Sequence, residues 1–277
     1  MAVPIDTAER RLGQAIAALG TNGFAACFYA WLRHGLDCDN ATMLAYFQDR
    51  RPEILYVCAA ATEVHENLEN AYLPGAYLLD PFHDLHVRKV PPGLYRLREI
   101  APDAFTRNEY YAAYYRATTL IDEIAYVSYP APGVSVHVCL GRDAGSGRPF
   151  SAGNIGLARK LEPIARELCI RQWSALTSSG DYADATIAGR VIAAMRARHA
   201  ISLSPRQAEV ALLILRGHSS VSIGLRLGIS PQTVKVFRRQ LYRKCNISST
   251  AELFALVMPL LSEPPPKTGP APTPDAA

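Results

Sequence analysis

The sequence predicts an α+β protein in two parts, an N-terminal α/β sandwich followed by an all-α unit of four short helices. Three observations support this prediction. The chain has 277 residues, which is more than one domain usually contains. Its N-terminal part mixes alternating apolar strands with amphipathic helices, as in a sheet covered by helices. Residues 204–261, by contrast, hold four closely spaced sets of helix start and stop signals.

Apolar periodicity assigns the elements of the N-terminal part. The predicted helices are residues 6–19, 63–72, 108–116 and a long helix that Ser151 caps. The predicted strands are residues 22–32, 54–60, 124–129 and 134–140, with 41–47 either a strand or a helix. Pro130-Ala131-Pro132-Gly133 joins the last two strands and predicts a hairpin. A break at residues 178–181 then precedes another predicted helix, residues 185–198.

Each helix of the C-terminal unit has its own start or stop signals in the sequence. Serines that can cap a helix N-terminus stand at its four starts, namely Ser204, Ser219 or Ser220, Ser230 and Ser249. Gln207 and Glu252 complete capping boxes in the first and fourth helices. Gly217 and Gly228 end the first two helices, because glycine readily adopts the left-handed conformation found after a helix C-terminus. Four short helices are therefore expected here.

The third of these helices has two unlike faces. Its apolar side chains form one narrow stripe that must face a core: Val234, Phe237, Leu241 and Cys245. The opposite side carries Gln232, Lys235, Val236, Arg239 and Arg243, and no Asp or Glu occurs from residue 230 to residue 246. A basic helix that follows a short helix and a tight turn is typical of a helix-turn-helix, which places it in the major groove of DNA. The alternative is a helical bundle whose basic face is merely solvated.

Charge is distributed unevenly between the two parts. The chain has a net charge of +4, but residues 201–261 contain eight Lys or Arg and only two Glu, which gives +6 there and −2 elsewhere. A basic module on a slightly acidic body is the electrostatic pattern of a nucleic-acid-binding protein with a regulatory or catalytic partner domain.

Residues 204–261 resemble the DNA-binding domain of LuxR-type transcriptional regulators. The matching residues are Leu203-Ser204, Arg206, Glu209-Val210, Gly217, Leu227 to Pro231, Thr233 to Val236, Lys244 and Ala251 to Leu253. Gln207, Phe237, Cys245, Thr250 and the stretch from Val221 to Gly224 differ from the residues usual in that family. Phe237 and Cys245 lie on the apolar stripe, so these two differences affect the packing of the helix more than its recognition of DNA.

The resemblance implies a homodimer that binds double-stranded DNA at an inverted repeat. Lys235, Val236 and Arg239 are the residues expected to reach base edges. The residues expected nearer to phosphates are Gln232, Thr233, Arg238 and Arg243. Leu253, Leu256, Val257 and Leu260 of the fourth helix form the predicted self-association surface.

The N-terminal part resembles a sensor domain of the GAF or PAS kind. Its order of elements is similar, and Phe150-Ser151 followed by Leu161-x-Pro163 looks like the final part of GAF-like domains. Residues 72–85 also resemble a segment of the acyl-homoserine-lactone-binding LuxR-type regulators, in which an Asp accepts a hydrogen bond from the ligand amide. Tyr72, Tyr77 and Asp80 are the matching candidate ligand residues, although a preceding Trp is absent and Tyr77 stands three rather than four residues before Asp80. A tyrosine-rich edge of the core with an Asp-Pro turn fits residues 72–85 equally well. A second cluster fits two structures equally well, the lining of a pocket or the packing of a helix onto the sheet: Tyr110, Tyr111, Tyr114 and Tyr115.

Nothing in the sequence predicts catalysis, a metal site or a cofactor. The six cysteines are scattered without a Cys-x-x-Cys pair. The glycines of residues 141–147 lack the spacing of a phosphate-binding loop. His83-x-x-His86 has no third ligand at a zinc-like spacing. Because no signal peptide or membrane-spanning run is visible, we expect a cytoplasmic protein without a membrane partner.

These observations predict a DNA-binding transcriptional regulator that responds to a small-molecule effector and is not an enzyme. The expected organisation is a sensor domain (1–176), a linker helix (177–200), a helix-turn-helix domain (201–262) and a disordered tail (263–277), which holds six prolines. The alternative is a ligand-binding or protein-interaction module whose C-terminal helices serve assembly.

Overall fold

A computed structural model describes residues 7–178 and 184–262, and it confirms the α+β class. The N-terminal unit has five strands: β1 (Asn40–Phe47), β2 (Glu53–Ala59), β3 (Gly93–Arg96), β4 (Asp122–Ala131) and β5 (Val134–Arg142). Its helices are α1 (Thr7–Ala17), α2 (Phe24–Leu36), α3 (Pro81–Val87), α4 (Leu97–Ile100), α5 (Glu109–Ala113) and α6 (Ala152–Gln172). The C-terminal unit has α7 (Asp184–His199), α8 (Pro205–Leu215), α9 (Ser220–Leu227), α10 (Pro231–Cys245) and α11 (Thr250–Ser262).

The five strands form one antiparallel sheet in the order β2-β1-β5-β4-β3. Side chains along a strand alternate between its two faces, so β1 divides its residues between two hydrophobic clusters. Met43 and Phe47 pack with α1, α2 and α6, whereas Leu44 and Tyr46 pack on the opposite side of the sheet. That second side is covered by the short helices and turns between residues 62 and 118, and its cluster continues into the core of the C-terminal unit.

Several predicted elements are confirmed. The hairpin of β4 and β5, strand β2, helix α1 and the Ser151-capped helix α6 occur where periodicity placed them, and residues 41–47 are a strand. The prediction of a strand at residues 22–32 is wrong, because this segment belongs to α2. A run of apolar and aromatic residues does not distinguish a buried strand from a buried helix, and α2 buries Phe24, Phe28, Trp31 and Leu32 at helical spacing.

The region between β2 and β4 is more broken than predicted. The predicted helix at 63–72 consists of a 3-10 turn at Thr62–Val64 and a π-helical turn at Leu68–Tyr72. The predicted helix at 108–116 is the short α5 followed by a 3-10 turn at Tyr115–Thr118. Short strand β3 and helix α3 were not predicted at all. The proline-rich tail 263–277 and residues 179–183 of the predicted break lie outside the described residues.

Among the helices that are described, none is long and apolar enough by itself to cross a bilayer. Only α10 and α11 taken together pass that test of length and composition, and they are bent by 67° at their connection.

Candidate nucleic-acid interface and internal cavity

Helix α10 presents the basic face that its periodicity predicted. Ser230 caps the helix by accepting a hydrogen bond from the backbone N–H of Thr233, and Pro231 occupies the first turn. Val234, Leu241 and Cys245 are buried, while Phe237 packs half-buried against the same cluster. Helix α9 ends at Gly228 in the left-handed conformation, which turns the chain into α10. The stripe therefore anchors α10 on α8 and α9 and leaves its other side free.

Five of the seven predicted DNA-contact residues lie together on α10, and Thr233 and Arg238 lie apart from them. Gln232, Lys235, Val236, Arg239 and Arg243 are all exposed on one side of α10. Thr233 is half-buried at the helix start, where its hydroxyl lies 2.8 Å from that of Ser230. Arg238 is exposed but turned toward α11, since it donates to Thr250 Oγ1 at 3.2 Å and its guanidinium lies 5.1 Å from the Tyr242 ring centroid. The structure thus brings five of these residues together and places Arg238 beside them.

Helix α11 is packed within the chain. Of the residues predicted to mediate self-association, Leu253, Val257 and Leu260 are buried and Leu256 is half-buried. Helix α11 contacts α7 and α8 of its own unit, and also α5 and residues 76–79 of the N-terminal unit. At its end, Arg51 donates to the carbonyl oxygen of Ser262 at 2.6 Å. In this conformation, most of the predicted self-association surface is covered by the protein itself.

The N-terminal unit holds the C-terminal unit through a shared carboxylate, which we call the Asp84 clamp. Arg226 of α9 donates to both oxygens of Asp84 at 3.0 and 3.1 Å. Arg216, only 3% exposed, lies 3.6 Å from the same carboxylate and donates through Nε to the Leu78 carbonyl. Arg88 approaches it to 3.5 Å from the surface. Because Asp84 is itself only 10% exposed, removal of this carboxylate would take a close counter-charge away from buried Arg216.

A second set of contacts holds the start of α9. The carboxylate of Asp103 accepts a hydrogen bond at 2.8 Å from the backbone N–H of Ser219, which caps α9. Burial works against ionisation of Asp103, but hydrogen bonds from the Ser219 hydroxyl and backbone lower its pKa below the usual value. Gly217 has φ +92°, and a Cβ there would lie 2.6 Å from the Asn108 amide nitrogen. This turn can therefore approach the N-terminal unit only as glycine.

A partly open cavity of about 50 Å³ lies between the sheet and the short helices. Its apolar lining includes Leu44, Leu68 and Phe82. Four tyrosines also line it, namely Tyr72, Tyr110, Tyr114 and Tyr115. Its ionisable lining consists of His65, Asp80, Glu123 and Cys139. The cavity therefore combines an aromatic wall with two carboxyl groups.

Asp80 is held at the cavity by helix α3. One of its oxygens caps α3 by accepting the backbone N–H of Phe82 at 2.8 Å, and the other accepts the hydroxyl of Tyr72 at 2.5 Å. The Tyr72 hydroxyl lies 2.5 Å from that of Tyr46. Burial raises the pKa of Asp80 to about 6, although these two donors act in the opposite direction. Tyr72 and Asp80, two of the three candidate ligand residues, thus meet in the cavity.

Tyr77, the third candidate ligand residue, does not line the cavity. It is buried with its ring edge-on to His83, at a centroid distance of 4.9 Å. His83, His86 and His137 surround the Tyr46 ring, and burial lowers the pKa of all three. Within residues 7–178 and 184–262, no group of three or more His, Cys, Asp or Glu is arranged to hold a metal ion.

Glu123 is the cavity residue that sequence reasoning missed. It lies on β4 and accepts a long hydrogen bond, 3.3 Å, from the Tyr115 hydroxyl. Burial, and then the charge of Asp80, raise its pKa to about 8. Its neighbour Asp122 points to the other side of the sheet and is paired with buried Arg96. The alternation of β4 could have placed Glu123 on the inner face, but the cavity's position depends on tertiary packing.

We expect Glu123→Gln to stabilise the protein, and the gain to grow as the pH rises from about 4.5 to 8. The folded state binds the Glu123 proton in this window and the unfolded state does not, so the original chain loses stability there with increasing pH. Glutamine does not titrate, and the expected difference in the free energy of unfolding above pH 8 is ~1–3 kcal/mol. Urea unfolding at several pH values measures it, with exposed Glu69→Gln as the matched control. A difference that is the same at every pH would contradict this assignment.

Comparison with known proteins agrees with this architecture. Residues 201–257 match the family model described as bacterial regulatory proteins, luxR family. The chain is 30% identical over 185 residues to a protein of Aeromonas salmonicida named as an HTH-type transcriptional regulator in the exeN 3′ region, covering 65% of this chain and 93% of that protein. It is 39% identical over 57 residues to the response regulator GacA of Pseudomonas aeruginosa, covering 21% of this chain and 27% of GacA.

The N-terminal unit also has a counterpart among solved structures. The crystal structure of the VqsR LBD domain from Pseudomonas aeruginosa superimposes with a TM-score of 0.51 and 25% identity, covering 61% of this chain and 97% of that one. A domain with a sensor-like fold therefore precedes a helix-turn-helix whose basic helix faces outward. From the similarity along almost the whole Aeromonas protein and from the matched helix-turn-helix, the chain belongs to the LuxR family of bacterial transcriptional regulators, which bind DNA.

Proposed function

We propose that this regulator binds an inverted-repeat operator as a homodimer and that a small-molecule effector controls it. The observation that carries the DNA-binding part is the exposed face of α10, where Lys235, Arg239 and Arg243 stand with no acidic side chain on the same helix. Lys235, Val236 and Arg239 lie near the middle of that face and would read base edges. Gln232, Thr233 and Arg243 would contact phosphates, and Arg238 would join them after turning away from Thr250.

The effector response is supported by the contacts between the two units. The first helix of a helix-turn-helix crosses the DNA backbone, and helix N-termini bind phosphate. Here the N-terminus of α9 is occupied by the Asp103 carboxylate, and Arg226 is occupied by Asp84. If DNA phosphates bind at these two places, both carboxylates would have to leave, so the conformation described here would be the one that binds DNA weakly.

Helix α3 offers a direct connection between the cavity and the Asp84 clamp. Asp80 caps the helix inside the cavity, and the backbone N–H of Asp84, one turn later, donates to the Asp80 carbonyl at 3.1 Å. An effector that draws the Asp80 side chain away from Phe82 would disturb the first turn of α3, on which Asp84 stands. The similarity to a structure titled as an LBD domain supports the N-terminal unit as the effector site.

The proposed organisation follows from these roles. Residues 1–176 would form the sensor domain and 201–262 the helix-turn-helix domain. Residues 177–200 would be a linker helix, which packs on α8 and α11 through Ile187, Val191 and Met195.

Salt dependence tests the DNA-binding interface. We expect the full-length protein to bind duplex DNA with an affinity that falls linearly with salt concentration on logarithmic scales, because each phosphate contact contributes a slope of about −0.9. Fluorescence anisotropy with a labelled operator, chosen by in vitro selection, measures the slope. The alternative, an assembly module whose C-terminal helices only mediate self-association, predicts no duplex binding even at low salt.

A further inference from the structure

We propose that the tyrosine-lined cavity binds a small organic ammonium ion, whose positive charge is received by Asp80 and Glu123. This inference rests on the proposed effector response and names the chemistry of the effector. It depends on three features of the cavity: its uncompensated acids, its aromatic wall and its size.

The two acids of the cavity have no basic partner in the part of the chain that the structure describes. No Lys or Arg lines the cavity, and neither Asp80 nor Glu123 takes part in an ion pair with a described residue. His65, the remaining candidate, is half-buried, and burial lowers its pKa, so it stays neutral at pH 7. Buried carboxyls are normally paired, as Asp122 is with Arg96. A cation brought by the ligand would supply the missing charge.

The aromatic wall favours the same class of ligand. The Tyr72 and Tyr114 rings lie 5.4 Å apart and the Tyr110 and Tyr114 rings 5.6 Å apart, which makes a continuous aromatic wall. Burial and the Asp80 charge raise the pKa of Tyr72, Tyr110 and Tyr114, so their hydroxyls stay neutral. Tyrosine faces attract ammonium groups, and carboxylates placed beside them add charge and hydrogen-bond acceptors.

Other ligand classes fit these features less well. An anionic ligand would be repelled by two acids without a nearby base. A neutral amide would use Asp80 alone and leave the Glu123 carboxyl protonated and unused. The cavity's free volume, about 50 Å³, exceeds the ~10–15 Å³ that one water needs. A compact headgroup therefore fits, whereas a larger ligand requires side chains to move.

The test compares a charged probe with its neutral counterpart. Binding of n-butylammonium and of n-butanol to the full-length protein is followed by calorimetry at equal ionic strength. We expect binding of butylammonium and at least tenfold weaker binding of butanol. We also expect release of protons at pH 7, because a cation lowers the pKa of Glu123, and an affinity that rises up to about pH 8. The other titratable groups facing Glu123 are His65, Tyr72, Asp80, Tyr110, Tyr114, Tyr115 and Cys139, with Asp122 preceding it on the strand.

Glu123→Gln is the diagnostic variant, since it keeps the shape of the side chain and removes its charge. It should lose at least tenfold in butylammonium affinity and release no protons, while Glu69→Gln, with the same change outside the cavity, should bind as the original does. Equal binding of butanol and butylammonium, no binding of either, or unchanged butylammonium binding by Glu123→Gln would overturn the proposal. None of these outcomes contradicts the proposed function. Operator binding is measured separately, and only its loss would refute that function.

Discussion

Asp84→Asn is expected to raise the affinity of the full-length protein for its operator by about tenfold or more in the absence of any effector. Asparagine fills the same space but cannot balance Arg216 and Arg226, and breaking a buried pair costs ~3–5 kcal/mol. Only part of that cost is recovered as DNA affinity, since the fold gain cannot exceed the reciprocal of the fraction of molecules that are already open. Each tenfold change corresponds to about 1.4 kcal/mol. Anisotropy titration with the selected operator measures the change.

The matched control is Asp37→Asn. Asp37 is likewise a carboxylate shared by two arginines, Arg142 and Arg148, but it lies in the N-terminal unit away from the clamp. We expect the Asp37→Asn variant to bind DNA with the same affinity as the original chain. If Asp84→Asn remains folded by circular dichroism and binds DNA no more tightly than Asp37→Asn, the clamp does not restrain DNA binding.

Arg239→Ala is expected to have the largest effect on sequence discrimination. Arg239 is exposed in the middle of the basic face of α10 and has the planar fork that pairs with guanine. Loss of a good base contact costs ~1–3 kcal/mol at the preferred site and relaxes the preference at one base position. Competition titration of the selected operator against single-base variants measures both effects.

Arg243→Ala provides the comparison for this prediction. Arg243 lies further along the same face, where we propose a phosphate contact. Its loss should therefore weaken binding to all DNA sequences by a similar factor. It should also lower the magnitude of the slope of log affinity against log salt concentration by about one. The assignment of Arg239 fails if its removal leaves the selected operator unaffected while Arg243→Ala abolishes binding.

Local signals predicted the C-terminal unit well. The Ser204 capping box with Gln207, the left-handed Gly228 and the Ser230 cap are all confirmed. The second capping box is confirmed with a variation, in that the Glu252 side chain reaches the backbone N–H of Ser248 rather than that of Ser249. Caps and helix periodicity depend on residues three or four apart, and the sequence displays these directly.

Contacts between distant segments could not be predicted in the same way. Asp84 and Arg226 are 142 residues apart, and nothing in either local pattern indicates that they pair. The His83-x-x-His86 pattern, considered for metal binding, instead belongs to the helix that carries Asp84. Of the cavity residues, Tyr72 and Asp80 belong to one short segment that the sequence singled out, whereas Glu123 comes from a separate strand.

The burial of α11 links two equilibria, the release of α11 within one chain and the dimerisation of two chains. If the apolar side of α11 is the dimer surface, as proposed, a monomer must first release it from its contacts within the chain, and the second copy then traps the released form. Operator occupancy would therefore depend on both effector level and the abundance of the protein, with dimerisation adding a second-order dependence. Cells holding more of this chain would respond at a lower effector concentration and over a narrower range.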